Sequence, residues 1–424
     1  MTAKEAPRRP VRLGVVGAAR ILPAHLRGLV ALRDAGLAGA EAVQVTALCA
    51  RRLDDAAMFR QRGEGPPPRA PASTNPADPL GAPHLYVSDL HPEPLPTLYD
   101  DWRTMLDDDV VDAVLVLVPV GMHHQVVLDC LAASKHVLVE KPFAISVRAG
   151  RAMVDAAVKN KVVVGVAESL RYTEGARASR WTLEQGLIGE LQLWLSGGFG
   201  NEWSPDRIVA HTAWRHRKLD AGGGGAVDVG VHLFHLIRYL MGPVEEVSAL
   251  VRTLEPERFT RDETGEVTNR VQNEVDDVFL ANLRFASGAI GTAFWGWGGR
   301  GEPTSLGQSI YGTAGVLKGG EVVRDDGFRG AAFDLFSRGA GPDLHRRFFP
   351  HGVRDSFALE MLDFLHAIQT GQPMEASGDE GLNDLAAAYA VLESATANRP
   401  VAVADVLSGA VAEYQAEIDA HYFG

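Results

Sequence analysis

The 424-residue sequence contains only two cysteines, Cys49 and Cys130, and both lie in apolar runs. Two such thiols give no disulfide framework, so we expect them to be buried and reduced. No apolar run reaches the roughly 18 residues that a membrane helix needs, and the first ten residues lack the apolar core of a secretion signal. We therefore expect a cytoplasmic protein without membrane contact.

Positive charge is scarce as well, because 41 Lys and Arg face 54 Asp and Glu, for a net charge of −13. A nucleic acid would be repelled on average, so we expect no such partner. With 46% hydrophobic residues, a chain of this length buries a large core and is expected to form at least two domains.

The first third of the chain alternates apolar runs with helical patterns. The runs at 11–17, 42–49, 110–118 and 136–139 are typical of buried parallel strands, so we predict an α/β, doubly wound Rossmann domain over 1–143. Ten of the 23 prolines fall between Gly63 and Pro96, which predicts an extended insertion. Longer strands joined by short turns predict a mostly antiparallel sheet in an α/β domain over 144–424.

A glycine turn follows the first strand. It predicts dinucleotide binding, because Gly14 and Gly17 let the backbone approach a pyrophosphate at a helix N-terminus. The cofactor-binding candidates of this turn are Gly14, Gly17, Ala18, Ala19, Arg20 and Ile21.

The end of the second strand lacks the acid that usually binds the adenosine ribose. Ala50 stands there, followed by Arg51 and Arg52, whose guanidinium groups suit a 2′-phosphate. We predict NADP as the preferred cofactor, with NAD as the alternative. Two solvated arginines that begin a helix are the simpler interpretation.

Two further segments follow predicted strands of this domain. In the loop Pro119 to His123, the proline shapes the chain and His123 is a candidate contact of the nicotinamide end. Lys141, between Glu140 and Pro142, is a candidate for polarising a substrate hydroxyl.

A run of four glycines, Gly222 to Gly225, leads to Asp228 and His232. Positions i and i+4 share one helix face, so Asp228 is predicted to orient His232 for proton transfer. A metal site formed by Asp228, His232 and His235 is chemically possible, but a hydride mechanism needs no metal and we predict none. Arg171 and Tyr172 follow another strand and are candidate substrate contacts.

Together these motifs resemble the Gfo/Idh/MocA oxidoreductases, the family of glucose-fructose oxidoreductase and inositol dehydrogenase. The similarity extends to Trp214-Arg215, to 311–315 and to 363–371. It implies a Rossmann domain, a second domain whose sheet forms a homo-dimer or homo-tetramer, and NAD(P)-dependent oxidation of a secondary alcohol on a sugar, glycoside or cyclitol.

The resemblance also implies roles for single residues. Lys141, Asp228 and His232 are similar to the family's catalytic trio, and Trp214 and Arg215 to a pair that reaches the cofactor. His235 replaces an aspartate that many members carry, which makes it a candidate substrate contact. Trp203, Trp214 and Trp295 are candidates for stacking on a sugar.

Two alternatives remain open at this stage. One is a redox-cycling glycosidase of the same family with tightly bound NAD, and the other is a nucleotide-binding protein without turnover.

Overall fold

The computed structural model describes residues 9–39, 42–75, 77–200, 208–298 and 302–424. The chain forms two compact units. Unit one contains Met1–Phe143, Arg151–Tyr172 and Arg346–Glu380, and unit two contains Ala144–Gly150, Thr173–His345 and Gly381–Gly424. The sequence division at residue 143 placed 151–172 and 346–380 in the second domain, whereas in the structure these two segments complete unit one.

The strands are β1 (Val11–Val16), β2 (Val43–Cys49), β3 (Thr97–Tyr99), β4 (Ala113–Val116), β5 (His136–Glu140), β6 (Val164–Ala167), β7 (Leu191–Phe199), β8 (Val244–Arg252), β9 (Glu257–Arg261), β10 (Val267–Gln272), β11 (Val278–Phe285), β12 (Ile290–Gly296), β13 (Thr304–Gly312), β14 (Gly315–Lys318), β15 (Glu321–Arg324), β16 (Arg329–Ala331) and β17 (Val401–Ala402). The helices are α1 (Leu22–Asp34), α2 (Leu53–Arg60), α3 (Val87–Leu90), α4 (Trp102–Asp107), α5 (His123–Ala132), α6 (Val147–Asn160), α7 (Glu174–Glu184), α8 (Lys218–Ala221), α9 (Gly225–Asp228), α10 (Gly230–Met241), α11 (Ala332–Gly339), α12 (Pro342–Phe348), α13 (Ser356–Thr370), α14 (Gly378–Ala397), α15 (Val403–Ser408) and α16 (Ala416–Phe423).

Unit one is built on a six-stranded parallel sheet of order β3-β2-β1-β4-β5-β6. Its central strand β4 is apolar and fully buried, as parallel strands covered on both faces are. The order reverses between β1 and β4, which is where dinucleotides bind in this fold. The prediction of a Rossmann domain is confirmed.

Helix α13 belongs to unit one because it packs against α1. The ring of Phe357 lies edge-on to His25 at 4.9 Å between ring centres. At Gly28 a Cβ atom would lie 2.8 Å from the backbone nitrogen of Ala358, so only glycine permits this approach of the two helices. A segment more than 300 residues from α1 in sequence thereby closes one face of the first domain.

Unit two contains a nine-stranded sheet of order β16-β15-β14-β13-β7-β12-β11-β8-β17. The pair β7–β12 is parallel and the other pairs are antiparallel, which confirms the predicted mostly antiparallel sheet. One face of the sheet carries exposed apolar side chains: Leu250 and Leu280 face each other across β8 and β11, and they are 68% and 52% exposed.

Both cysteines are free and buried, as predicted. Burial raises the pKa of the Cys49 thiol to about 12, so this group is not a reactive thiolate near neutral pH. Among the described residues, no helix is long and apolar enough to cross a membrane.

Candidate active site

The glycine turn between β1 and α1 has little room for side chains. Gly17 has φ +109°, and a Cβ atom there would lie 2.6 Å from the carbonyl carbon of Leu117. Its backbone N–H donates to the carbonyl of Cys49 at 2.8 Å, which ties the turn to the end of β2. Helix α1 begins at Leu22 without a side-chain cap. The bare backbone and the uncapped helix start fit a dinucleotide pyrophosphate.

The end of β2 is as the sequence predicts. Ala50 is buried, while Arg51 and Arg52 are exposed. Nε of Arg52 lies 3.5 Å from Oδ2 of Asp55. Two acids that the sequence did not point to lie nearby: Asp101 and Asp100 follow β3, and their charges add to the burial that raises the pKa of Cys49. This edge of the sheet therefore carries two exposed arginines, and two carboxylates follow the neighbouring strand.

Lys141 follows β5 directly, and the residue before it is held from two sides. Glu140 Oε1 lies 2.9 Å from Nε2 of the buried His25 on α1. The other carboxylate oxygen accepts the backbone N–H of Lys141 at 3.1 Å. Glu140 thus fixes the strand end that precedes the lysine.

A second carboxyl group is buried close to Glu140. Glu360 on α13 is 1% exposed, and neither of its oxygens has a hydrogen-bond partner among the described residues. Burial, together with the charges of Glu140 and Glu168, raises its pKa well above the usual range. Burial therefore favours the neutral form of Glu360 in the core of unit one.

His123 is not the cofactor contact that the sequence suggested. It is 1% exposed, its Nδ1 lies 2.9 Å from the carbonyl oxygen of Pro142, and its Nε2 lies 2.9 Å from that of Val118. The side chain of His123, the first residue of α5, connects the two loops that follow β4 and β5. Its role is to position these loops, and Pro119 lies in one of them.

Arg171 and Tyr172 are also used internally, so the prediction that they contact substrate is wrong. Arg171 is 5% exposed and its Nη2 lies 2.8 Å from Glu380. Tyr172 is fully buried, and its hydroxyl donates to Asp363 at 2.7 Å. The chain after β6 turns back towards α13 and the segment behind it, and both side chains anchor that contact.

In unit two the glycine run surrounds Asp276. Its carboxylate accepts the backbone N–H groups of Gly224 and Ala226 at 2.8 Å each. A Cβ atom at Gly224 would lie 1.7 Å from the carbonyl oxygen of Asp276, so the run is glycine to allow this approach. Burial raises the pKa of Asp276 to about 6. The acid thereby anchors the start of the helix that ends in Asp228.

Asp228 and His232 are not on one continuous helix. Asp228 is the last residue of α9, Val229 separates the two helices, and His232 lies in the first turn of α10. Oδ2 of Asp228 lies 3.1 Å from Nε of Arg215, and both side chains are mostly buried. The predicted pairing of Asp228 with His232 stays a prediction, and Arg215 is a partner of Asp228 that the spacing argument did not include.

Arg215 also packs on Trp214, with its guanidinium carbon 4.5 Å from the ring centre. Its Nη1 donates to the hydroxyl of Thr212 at 2.6 Å. The predicted cofactor contacts Trp214 and Arg215 thus form one cluster with Asp228 in unit two. Trp203 lies outside the described residues.

His235 is fully buried, which contradicts its prediction as a substrate contact. Its Nδ1 lies 2.6 Å from Oδ2 of Asp384, and the other oxygen of that carboxylate binds Arg238. Because Asp384 lies on α14, this contact fastens α10 to α14.

Sequence reasoning missed His25, Glu360 and Asp276. Two of them carried a usable signal: Glu360 interrupts the apolar run Phe357–Leu362, and Asp276 belongs to an acid pair just before β11. His25 gave none, since its partner lies 115 residues away.

Two family models match the chain. The N-terminal model of the oxidoreductase family with an NAD-binding Rossmann fold matches 11–168, and the GFO/IDH/MocA C-terminal domain matches 151–318. The chain belongs to the Gfo/Idh/MocA oxidoreductases. The predicted family and the prediction of an enzyme are confirmed.

Curated relatives include levoglucosan dehydrogenase of Pseudarthrobacter phenanthrenivorans, which is 27% identical over 70% of this chain and 80% of its own. Myo-inositol 2-dehydrogenase of Thermotoga maritima is 26% identical over 73% of this chain and 85% of its own. A solved complex of levoglucosan dehydrogenase with NADH superposes with a TM-score of 0.70 at 23% identity, covering 93% of this chain and 99% of that one. At this identity the likeness shows the fold.

Proposed function

We propose that this Gfo/Idh/MocA protein is an NAD(P)-dependent dehydrogenase that oxidises a secondary alcohol on a sugar, glycoside or cyclitol. The observation that carries the proposal is in unit one. A glycine turn with no room for a Cβ atom at Gly17 follows β1, and Lys141, whose backbone N–H donates to Glu140, follows β5 of the same parallel sheet. The substrate class is supported by relatives named for levoglucosan and for inositols.

The proposed roles follow from the chemistry of each group. His232 takes the hydroxyl proton, Asp228 stabilises the charged imidazole, and Lys141 stabilises the developing alkoxide. Arg215, whose Nε lies 3.1 Å from Oδ2 of Asp228, holds that carboxylate in position. The nicotinamide, when bound, supplies the hydride acceptor.

Replacing Lys141 and His232, one at a time, tests these roles. Lys141→Ala and His232→Ala are each expected to lower kcat by roughly two to four orders of magnitude, the range typical of lost acid–base or electrostatic groups. Cofactor absorbance with a panel of sugars, glycosides and cyclitols measures the turnover. Lys161→Ala, a lysine after α6, is the matched control and should retain wild-type rates. Near-normal turnover in either test variant would remove that residue from the mechanism.

We propose NADP as the preferred cofactor. The exposed pair Arg51 and Arg52 and the buried Ala50 support this choice. Asp100, which directly follows the neighbouring strand β3, opposes it because a carboxylate repels a 2′-phosphate. Equilibrium titration with NADPH and NADH decides between them. Loss of a charge-assisted contact in Arg51→Ala should weaken NADPH binding about tenfold to one-hundredfold and leave NADH nearly unchanged. A tighter complex of the wild type with NADH contradicts the proposal.

We also propose a homo-oligomer, a dimer or a tetramer. The exposed apolar side chains on the sheet of unit two support it, because monomers rarely leave such a patch in water. Light scattering at micromolar concentration measures the assembly.

A further inference from the structure

The proline-rich insertion folds back onto the glycine turn of unit one. Arg69 donates through its Nη2 to the carbonyl oxygen of Ala18. In the opposite direction, Nη1 of Arg20 donates to the carbonyl oxygen of Ala70 at 2.9 Å. Two reciprocal hydrogen bonds thus join the insertion to the segment where the cofactor's phosphates are expected.

A small cavity of about 20 Å³ lies at this junction. The glycine turn contributes Ala19 and Arg20 to its wall, and the insertion contributes Arg69 and His84. Met58, on α2, belongs to the same wall. The cavity is about large enough for one water molecule, and both arginines belong to its wall.

The two arginines are close enough to affect each other. The pKa of Arg20 is lowered, first by burial and then by the charge of Arg69. Within the described parts of the chain, no carboxylate forms an ion pair with either residue. Each guanidinium has five N–H donors and uses one in the contacts above, so most donors remain available.

We propose that Arg69 of the insertion and Arg20 of the glycine turn together bind a phosphate group of the dinucleotide. This rests on the proposed function. A phosphate offsets the repulsion between the two cations and accepts from both forks, which a neutral ribose does not do. Two phosphates qualify chemically: the pyrophosphate, which NAD and NADP share, and the 2′-phosphate, which only NADP carries.

Equilibrium titrations of the full chain with NADPH and with NADH, followed by nucleotide fluorescence, test the proposal without turnover. Arg69→Ala is expected to weaken binding about tenfold to one-hundredfold, and Arg69→Lys, which keeps the charge, by less. Arg62→Ala is the matched control, because the guanidinium group of Arg62 has other partners. Its Nη2 lies 3.6 Å from Oδ2 of Asp89, and its central carbon lies 4.8 Å from the ring centre of Tyr86. It should change either dissociation constant less than twofold.

The salt dependence separates a phosphate contact from a structural one. Removing a cation that binds phosphate should make the logarithm of the dissociation constant less sensitive to salt, whereas a merely loosened insertion leaves that slope unchanged. Loss for NADPH alone assigns the 2′-phosphate, and equal loss for both nucleotides assigns the pyrophosphate. If Arg69→Ala behaves like Arg62→Ala, or keeps the wild-type slope, the proposal is overturned, while wild-type binding and sugar oxidation would still support the proposed function.

Discussion

Gly17→Ala is the substitution that probes the cofactor half of unit one most directly. The residue has φ +109°, and the new Cβ atom would lie 2.6 Å from both the carbonyl carbon and the oxygen of Leu117. Gly36→Ala is the matched control, because Gly36 also has a positive φ of +75° but nothing lies within 4 Å of its Cβ position. The difference between the two variants therefore isolates the clash.

The magnitude follows from two contributions. A left-handed backbone costs a non-glycine residue about 1–2 kcal/mol, which is partly offset because alanine restricts the unfolded chain. Gly36→Ala should therefore lose about 1 kcal/mol or less. Forcing an extra methyl group into packed backbone adds about 1–3 kcal/mol, so we expect Gly17→Ala to lose about 1–4 kcal/mol.

The clash also moves the turn. Ordinary contact requires roughly 3.4 Å, so the backbone near Gly17 must shift by a large fraction of an ångström, and this segment is where the pyrophosphate is expected. We expect NADPH to bind about tenfold to one-hundredfold more weakly, since a misplacement near 1 Å costs up to that factor. Urea unfolding and fluorescence titration measure the two effects. Equal stability and equal affinity in Gly17→Ala and Gly36→Ala would refute the steric argument.

Two further predictions concern unit two. Burial lowers the pKa of His216 to about 4, and its Nε2 accepts the N–H of Val209, so the neutral ring is the folded form. Because the unfolded state binds the proton between pH 6.5 and 4, stability present above pH 6.5 is lost on acidification, by up to about 3 kcal/mol. The difference between the urea midpoints of wild type and His216→Gln should be smaller at pH 4.5 than at pH 7.5. A difference that is the same at both pH values would contradict this. Leu280→Asp is expected to lower the oligomer mass in light scattering, whereas the equally charged control Val158→Asp on α6 should not.

The elements that sequence reasoning located correctly are those defined by local pattern. The glycine turn, the apolar parallel strands and the lysine after β5 each depend on a few consecutive residues, so their chemistry can be read without knowing what packs against them. Where the expectation was wrong, at His123, Arg171, Tyr172 and His235, the residue type was suitable but burial was not visible. A polar residue after a strand has the same local sequence whether it faces solvent or a distant helix.

The same limit explains the missed partners. His25 and Glu140, or His235 and Asp384, come together only after elements more than 100 residues apart have packed. Asp228 shows the same limit. Its i, i+4 spacing from His232 is visible in the sequence, whereas its ion pair with Arg215 and the approach of the preceding glycines to Asp276 are not.

Glu360 brings a second carboxyl group close to the strand end that carries Lys141. It is buried without a hydrogen-bond partner among the described residues, and the charges of Glu140 and Glu168 add to the burial that raises its pKa. Glu140 lies 2.9 Å from the His25 ring and accepts the N–H of Lys141, so two contacts hold the end of the strand that precedes the lysine. Helix α13 reaches this region because it packs against α1, with Phe357 on the ring of His25 and Ala358 on Gly28, so the same histidine contacts both the C-terminal helix and Glu140.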